Sequence, residues 1–455
     1  MGGKRGDMLS GPLFVNIISY TIPIILTGLL QLLFHAADLV VVGRFCGSIS
    51  VAAVGATGAL TNVLINLFIG ISVGAGVMVA HGIGSRQDRM VHNTVHTALP
   101  VALISGAVMT VVGILSCEGL LRMMGTPENV LPLSSIYMKI FFGGIIFTMV
   151  YNFCASILRA AGDSRSPLIF LIFAGVVNVV LNVVFVTVFH MNVAGVALAT
   201  VISQAISAVL VVIALIRRKD ACRLELKKLR IHKNQLLRML RIGIPAGIQA
   251  SLFSISNTLI QSSVNSFGDV FMSGNAAAAS IEGFVYAAMS AFNQTITNFV
   301  GQNVGAGQLD RVKRILGSCV ACVSVVAIGL TVVVLALGPQ LLSIYITDSD
   351  LAISYGMLRM QYVLTTYVLC GIMDLSTGAL RGLGESFIPM VISVVGVCAL
   401  RVGWIYTIFQ IPQFHTPQWL FLSYPISWII TGGCQLIAFA IVFKKLKKKQ
   451  HSPLY

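Results

Sequence analysis

Asn152-Phe153-Cys154-Ala155-Ser156-Ile157-Leu158-Arg159-Ala160-Ala161-Gly162-Asp163-Ser164 returns 222 residues later as Asp374-Leu375-Ser376-Thr377-Gly378-Ala379-Leu380-Arg381-Gly382-Leu383-Gly384-Glu385-Ser386. The same offset carries Pro23 onto Pro245, Phe45 onto Phe267, Asp88-Arg89 onto Asp310-Arg311 and Pro167 onto Pro389. One shift that holds along a whole half means that the chain is two copies of one unit.

The chain is 56% hydrophobic and 10% charged, with a mean hydropathy of +0.91. Soluble chains carry about 25% charge, so this composition excludes them. Apolar runs of roughly 20 residues recur, each long enough to cross a hydrocarbon core. In lipid the backbone must satisfy its own polar groups, so the runs are helices. Spans are predicted at 13–43, 51–80, 93–116, 133–156, 167–190, 193–216, 243–266, 275–300, 315–338, 354–378, 389–410 and 418–443. The fold class is thus an all-α membrane protein, twelve helices in two pseudo-symmetric six-helix lobes. Six crossings per unit give both halves one orientation, a parallel repeat with an expected central cavity.

The net charge of +15 marks topology, not nucleic acid. Apart from Arg44, Arg122, Lys139, Arg359 and Arg401, every Lys and Arg falls at a terminus or in a connection after an even-numbered span. The positive-inside rule then makes both termini cytoplasmic. The expected division is an N-lobe over 1–216, a basic linker over 217–241, a C-lobe over 242–443 and a basic tail over 444–455. Leu236, Leu237, Leu240 and Ile242 alternate with Arg238 and Arg241, which predicts an amphipathic surface helix at the linker's end. The basic tail Lys444–Lys449 reads as the cytoplasmic stop of the last span, with anionic lipid headgroups as the lesser alternative. Met1 to Ser10, with Lys4 and Arg5, runs straight into the first span and shows no cleavable signal. Nine cysteines lie scattered in apolar helices without framework spacing, and Cys319-Val320-Ala321-Cys322 has no partner pair.

The pattern Ala37-Asp38-Leu39-Val40-Val41-Val42-Gly43, the turn Gly301-Gln302-Asn303-Val304-Gly305-Ala306 and the doubled Leu-Arg-x-x-Gly-[Asp/Glu]-Ser-x-x-Pro resemble the multidrug and toxic compound extrusion (MATE) family. The resemblance covers about residues 12 to 440. It implies a bacterial inner-membrane antiporter that expels cationic amphipathic compounds in exchange for H⁺ or Na⁺ by alternating access. Its partners would be organic cations and membrane lipids, its state a monomer, and it would need no cofactor beyond the coupling ion. Family members with an N-lobe cation site use a first-span Asp, an Asn-x-x-x-Asp pair on span five and a Thr on span six. Asp38, Asn178 and Thr200 match, while Asn182 stands where the second acid would be. Members with a C-lobe site use a Glu on span seven, where this chain has Phe253, and a span-ten Asp about one turn from Asp374.

Charges near a bilayer centre cost about 2.5–3.5 kcal/mol on insertion scales, so they face water or one another. Asp38, Glu282, Asp374 and Arg401 stand out. One Arg cannot neutralise two acids: Asp374 is expected to pair with Arg401, leaving Glu282 to take a proton or meet a cationic substrate. The candidate coupling set is Asp38, Asn178, Asn182, Thr200, Glu282 and Asp374. Gln31 and His35 share the helix face of Asp38 and are expected to line the substrate cavity. Asn257 and Gln261 on span seven, with Tyr286, Ser290 and Asn293 on span eight, form polar stripes expected to line the cavity with Arg401, or to act as interhelical glue. A flippase for a lipid-linked or polyanionic substrate is the alternative, but it would want several cavity Arg or Lys. The sequence holds no P-loop and no zinc-protease motif, so an enzyme is not expected.

Overall fold

The computed structural model describes residues 8–347 and 349–450, and these are helical with no strand among them. The first half runs α1 (Leu13–Phe45), α2 (Ser48–Gly84), α3 (Asp88–Met123), α4 (Leu131–Gly143), α5 (Ile145–Ala160), α6 (Arg165–Thr187) and α7 (Asn192–Ile216). The second runs α8 (Lys233–Asn265), α9 (Asp269–Gly305), α10 (Leu309–Ala336), α11 (Gly338–Ser343), α12 (Asp350–Leu364), α13 (Tyr367–Gly382), α14 (Phe387–Ser393), α15 (Leu400–Tyr406) and α16 (Pro417–Gln450). A π-turn, Val394–Ala399, joins α14 to α15. Lys4 and Arg5 lie outside the described residues, as do the last five of the tail.

Eight stretches, one of them Phe387–Gln410 running through α14 and α15, are long and apolar enough to span a membrane, and ten once the bent pairs α4–α5 and α12–α13 are each one crossing. The remaining two, α8 and α9, are 33 and 37 residues long, the lengths of α1 and α2. They carry the polar stripes that lower their hydropathy. The protein is a multi-pass membrane protein.

The duplication reaches into the details. Both bent pairs break at 47°. Both copies of the opening motif end a helix with a glycine at positive φ, Gly162 at 88° and Gly384 at 90°. In each, the amide one residue past the glycine bonds back five residues, Asp163 to Leu158 at 2.9 Å and Glu385 to Leu380 at 3.0 Å. This is a Schellman cap, which only a glycine forms without strain. Asp163 then accepts from the Ser166 amide at 3.0 Å and hydroxyl at 2.6 Å, starting α6. The motif is a helix stop followed by a helix start. The offset itself slips to 221 across α2 and α9, because Gly268 follows Phe267 directly whereas Cys46 separates Phe45 from Gly47.

Packing divides the described chain differently from its order. Among the described residues, one compact unit holds Leu26–Ser251; the other holds Met8–Ile25 with residues 252–450. Thus α1 and α8 each contribute to both, and the boundary expected at the linker falls inside α8 instead. In the second unit the early part of α1 is tied by polar contacts. The Asn298 amide donates to the Tyr20 hydroxyl at 3.0 Å, and the Thr21 and Thr295 hydroxyls lie 2.9 Å apart.

The linker is packed onto the first unit. Cys222 and Leu224 are buried in its core. The Glu225 amide donates to His96 Nε2 at 3.0 Å and the His232 amide to Thr97 Oγ1 at 3.1 Å. With its amides held by α3 side chains, the stretch before Lys233 forms only a 3₁₀ turn, Leu226–Lys228. The predicted surface helix is therefore the start of α8, continuous with the seventh crossing. Leu236 and Leu240 pack on the core while Leu237 is exposed.

Within the second unit, α9 and α12 meet backbone to backbone. A Cβ on Gly274 would lie 2.2 Å from the Ala352 carbonyl oxygen and 3.0 Å from the Gly356 amide nitrogen. Small residues allow such approach between membrane helices. Gly274→Val is expected to lower stability by about 1–3 kcal/mol, the range for overpacking. Melting of the purified protein in detergent measures this, and an unchanged midpoint would contradict the contact.

Candidate functional site

Two groups of polar side chains stand out, one in each unit. In the first, Asn178 and Asn182 are one helical turn apart on α6 and so share a face, and α7 packs alongside. The Asn182 amide donates to Asp38 Oδ1 and to Asn178 Oδ1, the latter at 3.3 Å. The Asn178 amide donates to Thr200 Oγ1 at 3.4 Å. Asp38, Asn178 and Asn182 are all buried. Asn182 Oδ1 is buried with no hydrogen-bond partner. The four residues expected to act together are thus in one hydrogen-bonded cluster. Tyr137 of α4, which the sequence did not single out, lies within electrostatic reach of Asp38. Gln31 and His35 are exposed while Asp38 is buried.

The second group surrounds a cavity of about 340 Å³ inside the second unit. Asn257, Gln261, Glu282, Tyr286, Asp374 and Arg401 border it. Ser290 and Asn293 do not: the Asn293 amide donates to the Asp374 backbone carbonyl at 2.6 Å, pinning α9 to α13.

The pairing of the charges corrects the sequence reading. Glu282 is held by Arg359 of α12 in a two-pronged pair, Nε to Oε1 at 2.9 Å and Nη2 to Oε2 at 2.7 Å. Arg359 Nη1 donates to Asn275 Oδ1 at 2.7 Å. The Asn275 amide donates to Gln261 at 3.3 Å, and the Gln261 amide to Asn265 at 3.2 Å. A chain of polar contacts therefore joins α12, α9 and α8. Asp374 meets the Tyr286 hydroxyl and the field of Arg381, not Arg401. Arg401 donates from Nε to Ser427 Oγ at 2.8 Å and stacks on Tyr424, 4.2 Å from the ring centre. Arg359 was visible in the sequence only as an exception to the placement of basic residues. Tyr424, Trp428 and Ser427 on α16 left no sequence signal at all.

Glu282 is neutralised where it stands, so it is not the free acid the sequence suggested. A carboxylate gripped by both arms of a guanidinium in a buried site is a structural and electrostatic fixture.

Residues 23–184 and 245–407 each match the MatE family model. The chain belongs to the MatE family. The two matched segments are the two copies of the repeat, with the second one residue longer. Among relatives of this MatE protein, the probable multidrug resistance protein YoeA of Bacillus subtilis is 28% identical over 84% of this chain and 84% of its own. The multidrug export protein MepA of Staphylococcus saprophyticus is 20% identical over 82% of each chain. A crystal structure of MATE in the bent conformation shares the fold, with a TM-score of 0.90 at 19% identity over 99% of this chain and 100% of that one.

Removing one partner of a buried ion pair costs about 3–5 kcal/mol, since it strands the other charge. Glu282→Gln and Arg359→Met should each destabilise by that order. The double variant should be more stable than either single one. Denaturation of all four proteins measures the coupling, and additive losses would show that the pair does not act as a unit.

Proposed function

We propose that this MatE family member is a secondary active antiporter. It exports cationic amphipathic compounds in exchange for H⁺, by alternating access of two lobes in a bacterial inner membrane. The observation that carries this reading is the buried cluster of Asp38, Asn182, Asn178 and Thr200. It supplies one carboxylate inside a membrane-spanning bundle, where an ionisable group is costly and points to a role.

The neighbouring amide suits a proton in particular. An ionised Asp38 accepts from the Asn182 amide nitrogen. A protonated Asp38 needs an acceptor, and the unpartnered Asn182 Oδ1 becomes one if the amide turns over. One asparagine thus serves both charge states. A second carboxylate, which would favour Na⁺, is replaced by Asn182 itself.

The relatives named for multidrug resistance and export support the direction and the kind of cargo. The concentration of Lys and Arg in the linker and the tail supports cytoplasmic termini. A polyanion flippase is less well supported, because Glu282 already neutralises Arg359.

In vesicles carrying the wild-type protein, an imposed pH gradient should drive ethidium against its gradient, and a Na⁺ gradient alone should not. Asp38→Asn should reduce the pH-driven flux to background while the protein remains folded. Normal flux through Asp38→Asn would rule out this coupling site.

A further inference from the structure

His96 on α3 has both ring nitrogens committed to main chain. The His92 carbonyl, 2.8 Å from Nδ1, can only accept, and the Glu225 amide, 3.0 Å from Nε2, can only donate. The ring is therefore neutral, with its proton on Nδ1 and a bare Nε2. It is fully buried. The same residue meets the linker a second time, since its own carbonyl accepts from the Arg230 amide at 3.4 Å. Thr97, the next residue, accepts from the His232 amide at 3.1 Å. The His232 carbonyl in turn accepts from the Leu236 amide at 2.9 Å, closing the first turn of α8. Two consecutive residues of α3 thus hold the linker from Glu225 to His232.

A second proton has no place on this ring. Protonated, both nitrogens donate, and the new Nε2–H would face the Glu225 N–H. The cation would also lack a counter-charge. The His92 ring stacks on it, 3.9 Å between centres. Lys228, Glu225 and His232 of the linker lie within electrostatic reach of that stacked ring, and α2, α4 and α5, which also pack on α3, add none to the group. Glu225, the one acid among these, is already held by Lys228 at 2.8 Å. A buried charge without a partner costs more than the hydrogen bond it breaks, so a protonated His96 and a docked linker exclude each other. Cys222 and Leu224, held by apolar burial, carry no such dependence.

We propose that His96 is a proton-operated latch: neutral, it holds linker residues 225–232 on α3; protonated, it lets them go and frees the first turn of α8. An imidazole changes charge near about pH 6.5, so the latch is closed at neutral pH and opens in acid. The linker carries the chain from one repeat to the other, and the latch makes the anchoring of its far end depend on the pH of the face where it lies. This goes beyond the exporter reading and holds whichever ion Asp38 carries.

The test is hydrogen–deuterium exchange of the purified full chain in detergent, read by mass spectrometry as protection relative to the intrinsic exchange rate at each pH. Between about pH 7.5 and about pH 5.5, a range that crosses histidine titration, protection over residues 225–236 should fall about tenfold or more. That is the effect of losing one hydrogen bond and stranding its donor. Peptides of α10, which contains no histidine, should keep their protection. His96→Gln offers an acceptor that does not titrate, and its linker should be equally protected at both pH values. His92→Gln combined with His232→Gln should retain the wild-type fall. Unchanged protection in the wild type overturns the proposal, and so does a fall that α10 shares, that survives His96→Gln or that vanishes in the double variant. If His96→Gln does not fold, the wild type and the double variant decide.

Discussion

The second unit is organised by the need to keep a guanidinium in a membrane-spanning bundle. Arg359 cannot reach bulk water, and a bare charge there costs several kcal/mol. It is met three times over, by both oxygens of Glu282 and by Asn275. The meeting requires α9 and α12 to approach closely, which Gly274 allows. From Asn275 the contacts pass to Gln261 and Asn265, so the ion pair fixes α8 as well. Of this network, Gln261, Glu282 and Arg359 border the cavity. What looks in the sequence like a polar stripe waiting for a ligand is in part the scaffold that holds the cavity open.

The duplicated halves show how one backbone plan carries two chemistries. Arg359 stands where the first copy has Tyr137, and Asp374 where it has Asn152. Asp38 in turn corresponds to Ile260. The π-turn at Val394–Ala399 adds a further difference. Such turns admit an extra residue and are frequent at functional sites, and the second family match is one residue longer than the first. Past the turn the offset becomes 223, which puts Arg401 at the place of Asn178. A neutral amide beside Asp38 in one copy is thus a cation in the other. The two copies have exchanged their charge while keeping their helices, bends and caps.

Much of the fold was legible because its causes are local. Hydropathy sets the crossings, and a glycine followed by Asp or Glu sets the stop and start at each motif. The fixed offset exposes the repeat. The cluster in the first unit was legible because two of its members lie one turn apart on α6 and the others match a family pattern. The Glu282–Arg359 pair was not, since its partners are 77 residues apart and no periodicity joins them. The single clue was that Arg359 breaks the placement of basic residues. The linker misled for the opposite reason. Its alternation of Leu and Arg describes a half-buried helix correctly, but the burying surface is α3 and its neighbours rather than a lipid face.

These differences explain why the two groups suit different tasks. In the Asp38 cluster the polar atoms satisfy one another within hydrogen-bonding distance, and its unused atom, Asn182 Oδ1, is enclosed. Such a place has room for a proton and little more. In the second unit Arg401 Nη2 and Ser256 Oγ are enclosed and unused as well, but their residues border a volume with aromatic and apolar walls. Desolvation has already been imposed on that guanidinium by the fold, and the Glu282 charge that would have relieved it is spent on Arg359. The lining carries two acids, Glu282 and Asp374, and two arginines, Arg359 and Arg401, so its formal charges balance while their partners differ.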